Sequence, residues 1–530
     1  MAVVHADQSL APGQDCLSRL PVELLLRVTR HLKTTDLCAV RQCSRTLESA
    51  LHHFFLQEFF QRKQFMLTEY SLQTLLDMAR HPVISQTLRR VSIGLEEYCV
   101  VNQEYPEDEQ QAAFLIRAVV EQHAIMTNGR AMRLLAAAFS LLPNLETVQL
   151  RDYDSPTRFR DGPHEAWQSY GVQRSRSQLG ENARLVFRKT FCPHFSTRAF
   201  VIMMTALAQA NVRPPKLEVL IKTRLNGLGC AAFDLIPAPR LSLPGGGAAG
   251  KDDGEDDVYV VDVLAGLRRL HLKLQFNLDF YGTDNHVAFN APYDGESKRQ
   301  VTAERLPLNA WLAHCPNVEW FRLNLEELAD DYNNIFLSQL GLALPAHYPL
   351  PPGSAASRDI TLPFASHLRR FDLGMASCYG DVLLQLLRRM PTLEHLSLWR
   401  FSMLMKASSP HGTWEHFLKA LAKDPLCKQL KKMVLSQLRT VTFHYTYSSM
   451  QRTHIVSLNR QSSIEYTAEV GVSMASWLQK VSIRYKVDPW HASSGAESDG
   501  NAQNDDDGDV HEFESDDGHQ VSEEDEDYWG

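Results

Sequence analysis

One short apolar pattern recurs through most of the chain and constrains its fold more than any other feature. The pattern is L-x-x-Φ-x-Φ, where Φ is apolar and the last two Φ positions alternate with polar ones, as in a half-buried strand. It occurs, with small variations, at residues 88–93, 145–150, 217–221, 267–272, 318–323, 368–373, 393–398 and 430–435. Several copies follow an apolar helix-like stretch and a turn that contains proline. The sequence therefore predicts a repeated order of helix, turn and strand.

This order resembles a leucine-rich repeat of the helical type, but its spacing is irregular. The steps between strand starts are 57, 72, 50, 51, 50, 25 and 37 residues, and the asparagine of a regular repeat is mostly missing. The 25-residue step fits the usual range of about 20–29, and the steps near 50 suggest double units or insertions. We expect an α/β fold with an irregular leucine-rich-repeat-like helix/strand solenoid over residues 66–490. An ordinary α/β domain whose strands happen to begin with leucine is the alternative.

The same region contains insertions and a different final block. Loops are expected at about 151–184, 237–257, 283–305 and 344–363, the second of them rich in glycine and proline and then acidic. Four β-rich runs close the body at 440–447, 453–458, 463–470 and 481–487. They are placed to cap the open end of a solenoid, which must be covered for solubility.

The net charge of −9 hides an uneven distribution. Between residues 497 and 527 there are fifteen Asp or Glu and no Lys or Arg, while the rest of the chain holds 48 acids and 54 bases. This mild positive excess is no nucleic-acid footprint by itself. The acidic tail is too poor in apolar residues to offset its ordering entropy, so we expect residues 491–530 to be disordered. Residues 1–16 lack periodicity and are expected to form a flexible leader.

The cysteines and apolar runs indicate the compartment. The nine cysteines are scattered, and none forms a C-x-x-C pair, which is typical of reduced thiols. The apolar runs are about half as long as a bilayer crossing requires, and no stretch has the pattern of a signal peptide. We expect a protein of the cytoplasm, the nucleus or both, without a membrane partner.

Near the N-terminus the pattern changes to helical periodicity. Pro21 suits the first position of a helix, and Glu23 lies in its first turn, where negative charge is favourable. Leu24, Val28 and Leu32 share one face of this helix, with Leu25 beside them. Asp36 is a good N-cap for a second helix. In that helix Leu37, Val40, Ser44, Leu47 and Leu51 recur at steps of three and four, with Cys43 flanking them.

The order of these residues is similar to the F-box over about 30 positions. It runs L-P-x-E-L-L-x-x-V from Leu20, then Leu32, the pair Asp36-Leu37, Val40 and finally C-S-R-x-L from Cys43. Two departures are mild: Val28 stands where isoleucine is common, and Leu47 where an aromatic residue is often seen. Residues 70–82 and 88–98 are also similar to the stretch after the F-box in a group of filamentous-fungal F-box proteins. We place the F-box at residues 17–65.

The resemblance implies a partner and a set of site residues. F-boxes dock on the Skp adaptor, which in turn holds the cullin of a ubiquitin ligase. Carried over to this chain, the adaptor-binding residues are Leu20, Pro21, Glu23, Leu24, Leu25, Val28, Leu32, Leu37, Val40, Cys43, Ser44 and Leu47. Some of them must hold the helices together instead of touching the adaptor, and the sequence does not sort the two groups.

Motifs for chemistry are incomplete in every case. Residues 245–251 fit G-x-x-x-x-G-K, but Asp252 replaces the Ser or Thr that a nucleotide-bound magnesium ion needs. Asp505, Asp507 and Asp509 have calcium-loop spacing without the glycine at the sixth position. Residues 192–194 (Cys-Pro-His) lack a second pair of zinc ligands. The sequence therefore predicts no catalytic, metal or cofactor-binding residue and no cofactor, and favours a non-enzyme.

Two charged segments stay open as functional features. A basic segment contains Arg158, Arg160, Arg174, Arg176, Arg184, Arg188 and Lys189. It is either a solvated loop or a contact for an acidic partner or for the chain's own tail. In the tail, residues 522–525 (Ser-Glu-Glu-Asp) suit an acidophilic kinase.

Together these features predict the substrate-recruiting F-box subunit of an SCF-type cullin–RING ubiquitin ligase. The F-box would bind the Skp adaptor, and the repeat-like body would bind a protein target. The alternative is an interaction scaffold that binds the adaptor without forming a ligase. Nucleic-acid binding through the basic body is a weaker third possibility.

Overall fold

A computed structural model describes most of the folded chain. It covers residues 17–99, 106–154, 160–161, 167–180, 193–222, 227–233, 260–275, 307–325, 332–340, 363–406, 413–443, 452–468 and 472–487. The expected leader, the acidic tail and the insertions at 237–257, 283–305 and 344–363 lie largely or wholly outside these residues. The chain divides into two compact units, Met1–Lys189 and Thr190–Gly530.

The first unit combines helices with a parallel sheet. Its helices are α1 (Val22–Thr29), α2 (Thr34–Cys43), α3 (Arg45–Phe60), α4 (Glu69–Arg80), α5 (Ile84–Thr87), α6 (Glu109–Thr127), α7 (Arg130–Phe139) and α8 (Val172–Leu179). Its strands are β1 (Arg62–Met66), β2 (Arg90–Gly94) and β3 (Thr147–Arg151). The three strands pair in parallel in chain order, with Arg62 opposite Arg90 and Arg90 opposite Thr147. The three N-terminal helices and the first strands therefore belong to one unit.

The second unit has the same alternation on a larger scale. Its helices are α9 (Pro193–Gln209), α10 (Val260–Ala265), α11 (Pro307–Ala313), α12 (Tyr332–Gln339), α13 (Pro363–His367), α14 (Gly380–Arg388), α15 (Trp414–Lys423) and α16 (Met474–Lys480), with 3-10 turns at Cys230–Phe233 and Pro425–Lys428. Its strands are β4 (Lys216–Leu220), β5 (Arg269–Lys273), β6 (Trp320–Asn324), β7 (Arg370–Gly374), β8 (Ser377–Cys378), β9 (His395–Trp399), β10 (Ser402–Lys406), β11 (Lys432–Ser436), β12 (Arg439–Phe443), β13 (Arg452–Leu458), β14 (Ser463–Thr467) and β15 (Ile483–Val487). None of the helices described is long and apolar enough to cross a membrane.

Two sheets organise the second unit. In the first, β4, β5, β6, β7, β9 and β11 lie side by side in parallel, and β14 closes the edge by pairing antiparallel with β11. The second sheet has the order β15-β13-β12-β10-β8. The mixed α/β class is confirmed, and so is the β-rich final block. The assignment to leucine-rich repeats stays a prediction.

All eight predicted strand segments form strands, because their alternating apolar residues are buried between sheet and helices. Val91, Ile93, Leu270 and Leu272 are examples, each fully buried. In one copy the pattern L-x-x-Φ-x-Φ was aligned wrongly. Leu217 pairs with Leu270, so it occupies the first Φ position and not the leading Leu position. The leading position, three residues earlier, is occupied by buried Pro214. Strand β1 was also missed, since all but its last residue fall in the segment 17–65 that was assigned to the F-box.

The chain passes from the first sheet to the second at a corner that follows each of three strands. Met375, Arg400 and Gln437 each follow directly after β7, β9 and β11 and have φ between 47° and 50°. The next residue is a fully buried Ala376, Phe401 or Leu438, and a strand of the second sheet begins soon after. The three corners repeat one backbone conformation although none of the three residues that adopt it is a glycine or an asparagine, the residues that usually signal it.

Candidate functional site

Helix α1 begins where the sequence places it, with a small shift. Pro21 is the capping residue before the helix and not its first residue, with φ −50° and ψ 143°. Its carbonyl oxygen accepts hydrogen bonds from the backbone N–H groups of Leu24 and Leu25, both at 3.0 Å. Proline loses nothing here, since its absent N–H would have no partner in the helix. Glu23 lies in the first turn, as predicted.

The second predicted helix is two helices. Ser44 has an extended backbone between α2 and α3, and its Oγ accepts a hydrogen bond from the Leu47 N–H at 3.1 Å. It is therefore the N-cap of α3, a role that the regular spacing of apolar residues concealed. The predicted N-cap Asp36 was wrong as well, because α2 starts at Thr34 after Lys33, and Asp36 falls in its first turn.

The twelve predicted site residues separate into buried and exposed groups. Leu25, Leu37 and Leu47 are at most 3% exposed and form one apolar cluster with Leu51 and Phe59. Leu32, Val40 and Ser44 are half-buried. The exposed members are Leu20, Pro21, Glu23, Leu24, Val28 and Cys43. The buried leucines hold the helices together, so only the exposed and half-buried residues are placed to contact another protein.

Large apolar side chains are concentrated on the exposed side of α1. Leu24 and Val28 are each 45% exposed, one helical turn apart, and Leu20 lies just before them at 37%. Leu17 and Val22 are similarly exposed. We call Leu20, Leu24 and Val28 the apolar row. Contiguous exposed apolar side chains are a common feature of protein interaction surfaces.

A clasp from the first predicted insertion holds the other end of α1. Arg160 forms a two-pronged ion pair with Glu58, at 2.8 and 2.9 Å, and donates to the carbonyl oxygens of Thr29 and Leu32. Asp161 accepts hydrogen bonds from the N–H and the hydroxyl of Thr34. The cation satisfies carbonyls at the C-terminal end of α1, where positive charge is favourable.

For Arg160, the clasp overturns both interpretations of the basic segment, the solvated loop and the contact for an acidic partner or the tail. The Arg160 side chain is only 5% exposed and binds within the unit, so it is no contact for a partner. Arg174 lies over the ring of Tyr70 at 4.4 Å, and Arg176 is exposed. Arg158, Arg184, Arg188 and Lys189 lie outside the described residues. Another residue of the first predicted insertion, Trp167, packs on Phe59, with 6.1 Å between the ring centroids.

The structure does not describe most of the residues that carry the incomplete metal and nucleotide motifs. Within the part of the chain that the structure describes, no three His, Cys, Asp or Glu side chains are arranged to hold a metal ion. Residues 245–251, the tail aspartates and Cys192 fall outside that part.

Comparison with known proteins agrees with the helical region. The family model described as F-box-like matches residues 17–60. This range ends at Phe60, the last residue of α3. A search of curated proteins finds no match to the chain. The likeness to the F-box is thus confirmed for the three N-terminal helices, and the likeness to the filamentous-fungal group stays a prediction.

Proposed function

We propose that this chain, which carries an F-box-like domain at residues 17–60, is the substrate-recruiting subunit of an SCF-type ubiquitin ligase. F-box domains generally bind the Skp adaptor, which links them to a cullin. In this proposal the apolar row binds the adaptor, and the second unit binds a protein target. The observation that carries the proposal is the joint presence of the family match and the exposed apolar residues on α1.

The contacts within the domain support separate roles for its buried residues, which hold the helices together, and its exposed residues, which are available to a partner. Leu25, Leu37 and Leu47 form the interior, which leaves Leu20, Leu24 and Val28 as the apolar side chains that face outward. Burying such side chains in an interface contributes about 25 cal/mol per Å² of apolar surface. Half-buried Val40 and exposed Cys43 on α2 are the proposed continuation of the same contact.

The proposed role requires no catalytic residue in this chain. A recruiting subunit raises the concentration of target lysines near the ubiquitin-loaded enzyme, and the chemistry is supplied by the other subunits. This is the basis on which we propose a non-catalytic adaptor.

The test is capture of the Skp adaptor by the full chain, with paired variants. Leu24→Ala/Val28→Ala removes two residues of the apolar row, and we expect it to reduce adaptor capture at least about tenfold, as loss of a central apolar contact does. The matched control is Ile116→Ala/Val120→Ala on α6, which removes two apolar side chains of similar exposure, 49% and 61%, with the same spacing.

Equal capture by the wild-type chain and the α1 variant, or an equal loss in the α6 variant, would refute the proposed interface. The same capture distinguishes a ligase from a scaffold. Cullin recovered together with the adaptor supports the ligase, whereas adaptor recovered without cullin at any salt concentration supports the scaffold.

A further inference from the structure

The first sheet of the second unit presents ordered polar rows on the face opposite its apolar core. Because the strands pair in register, Arg269, Trp320, Arg370, His395 and Lys432 form one row across the sheet. The next row is His271, Arg322, Asp372, Ser397 and Val434, and the third is Lys273, Asn324, Gly374, Trp399 and Ser436. Neighbouring strands are about 4.8 Å apart, so each row brings distant parts of the chain together.

A recess opens where these rows meet on β6, β7, β9 and β11. It is open to solvent, and its lining includes Arg322, Asn324, Arg370, Asp372, Ser397, Trp399 and Ser436. Gly374 forms part of its wall, because a Cβ there would come within 2.4 Å of Asn324 Oδ1 and 3.1 Å of the Trp399 ring. The glycine therefore keeps the recess open.

One side of the recess is fixed by a layered aromatic contact. Trp320 lies between the guanidinium groups of Arg269 and Arg370, each 3.8 Å from the ring centroid. Its Nε1 donates to Asp372 at 2.8 Å, and Asp372 also accepts from Arg370 Nε at 3.1 Å. Glu218 is paired with Arg269 at 2.8 Å. Both carboxylates on the rows of the parallel strands are thus engaged by neighbouring cations.

On the described strands this face carries more basic than acidic side chains. Lys216, Arg269, Lys273, Arg322, Arg370 and Lys432 stand against Glu218 and Asp372, and Lys273 is fully buried. Glu465 on the antiparallel strand pairs with Lys432 at 2.9 Å. Burial lowers the pKa of His271, which the charges of Arg322, Arg269 and Lys273 lower further, so this histidine is neutral and hydrogen-bonds to Asn324 at 3.2 Å.

Two polar atoms in the lining are buried without a hydrogen-bond partner among the described residues. They are the donor Nε1 of Trp399 and the acceptor Oδ1 of Asn324, and Asn324 as a whole is only 4% exposed. Leaving such groups unpaired costs free energy, so their retention in a recess points to a ligand that pairs them. The ligand would need an acceptor for the indole N–H and a donor for the amide oxygen.

We infer that this recess binds an acidic side chain of an extended protein segment. A carboxylate would accept from Trp399 and from the nearby cations, and a backbone N–H of the same segment would donate to Asn324. Charge-assisted hydrogen bonds to arginine are among the strongest polar contacts in proteins. The inference rests on the proposed function in that it assigns the target-binding surface and the chemistry of the target.

Fluorescence anisotropy of the purified full chain tests this inference. The probe is a fluorescein-labelled peptide of alternating glutamate and serine, and its control is the same peptide with glutamine for glutamate. We expect the glutamate peptide to bind and the glutamine peptide not to bind. Arg322→Gln should weaken its binding at least about tenfold by removing a charged donor, and Gly374→Ala should weaken it by narrowing the recess.

The matched control is Arg369→Gln, which removes the same charge from an exposed residue outside the recess, and it should change the binding less than about twofold because exposed charges are well screened. Thermal unfolding of each variant checks that it is folded. Equal binding of the two peptides, or full binding by both recess variants, would overturn the inference.

Two other outcomes would assign the recess to a different occupant. Peptide binding that appears only when the fifteen tail acids are replaced by Asn and Gln would make the chain's own tail the occupant. Stronger displacement of the probe by a DNA oligonucleotide than by unlabelled peptide would indicate nucleic acid. Adaptor capture by the same preparations separates the two proposals, because Arg322→Gln should leave it unchanged.

Discussion

Arg160 shows at the scale of one residue how the F-box-like domain is fixed within its unit. Its guanidinium is buried against Glu58 and the carbonyls of Thr29 and Leu32, partners 102, 131 and 128 residues away in the sequence. No local pattern could have predicted these contacts, since periodicity reports only on neighbours within a helix or strand. For the same reason the helical pattern placed Leu24 and Val28 on one face of α1 but did not show that Leu24 is exposed and its neighbour Leu25 is buried.

Replacing Arg160 by methionine should destabilise the first unit. The change keeps much of the apolar stem but leaves the Glu58 carboxylate and two carbonyls without their donor, and we expect a loss of about 1–3 kcal/mol in the free energy of unfolding. Urea unfolding of the full chain measures it. Arg117→Met on the exposed face of α6 is the matched control and should cost less than about 0.5 kcal/mol. A loss for Arg160→Met no greater than that of the control would contradict the clasp.

At the scale of elements, the strands were the predictable part of the fold and the corners were not. Alternating apolar residues identified eight strands of the parallel arrays. In the second sheet β12, β13 and β15 were predicted, whereas β8 and β10 were missed. Strand β8 contains only two residues, and β10 is apolar on both faces around Met403 and Leu404, so it shows no alternation. The left-handed corners at Met375, Arg400 and Gln437 are imposed by the sheets on both sides, against the preference of the residues themselves.

This conformation makes a specific prediction for Met375. A β-branched side chain is disfavoured at positive φ more strongly than an unbranched one, so Met375→Val should lower the free energy of unfolding by about 1–2 kcal/mol. Met405→Val, at a similarly half-buried methionine within strand β10, should be tolerated, because strands favour valine. The comparison requires thermal unfolding of both variants. A larger loss at Met405 than at Met375 would show that the corner is not strained.

At the scale of the whole molecule, the central claim is that the exposed apolar row of α1 is the surface that receives the Skp adaptor. In the first unit, α3 packs against β1 and α5, and the Arg160 clasp holds the end of α1. The F-box-like domain is therefore built into the unit that contains β1, β2 and β3. The sequence predicted the domain because its residue order is distinctive, but the packing of the domain on a sheet required the structure.

Hydrogen–deuterium exchange of the full chain with and without the Skp adaptor tests this claim most directly. Amides ordered or covered by a partner exchange more slowly. We predict slower exchange in the presence of the adaptor across α1 (Val22–Thr29) and α2 (Thr34–Cys43). Exchange should be unchanged in α6 (Glu109–Thr127), whose apolar residues Ile116 and Val120 are at least as exposed as Leu24 and Val28. Unchanged exchange in α1 at saturating adaptor, or protection confined to α6, would contradict the claim.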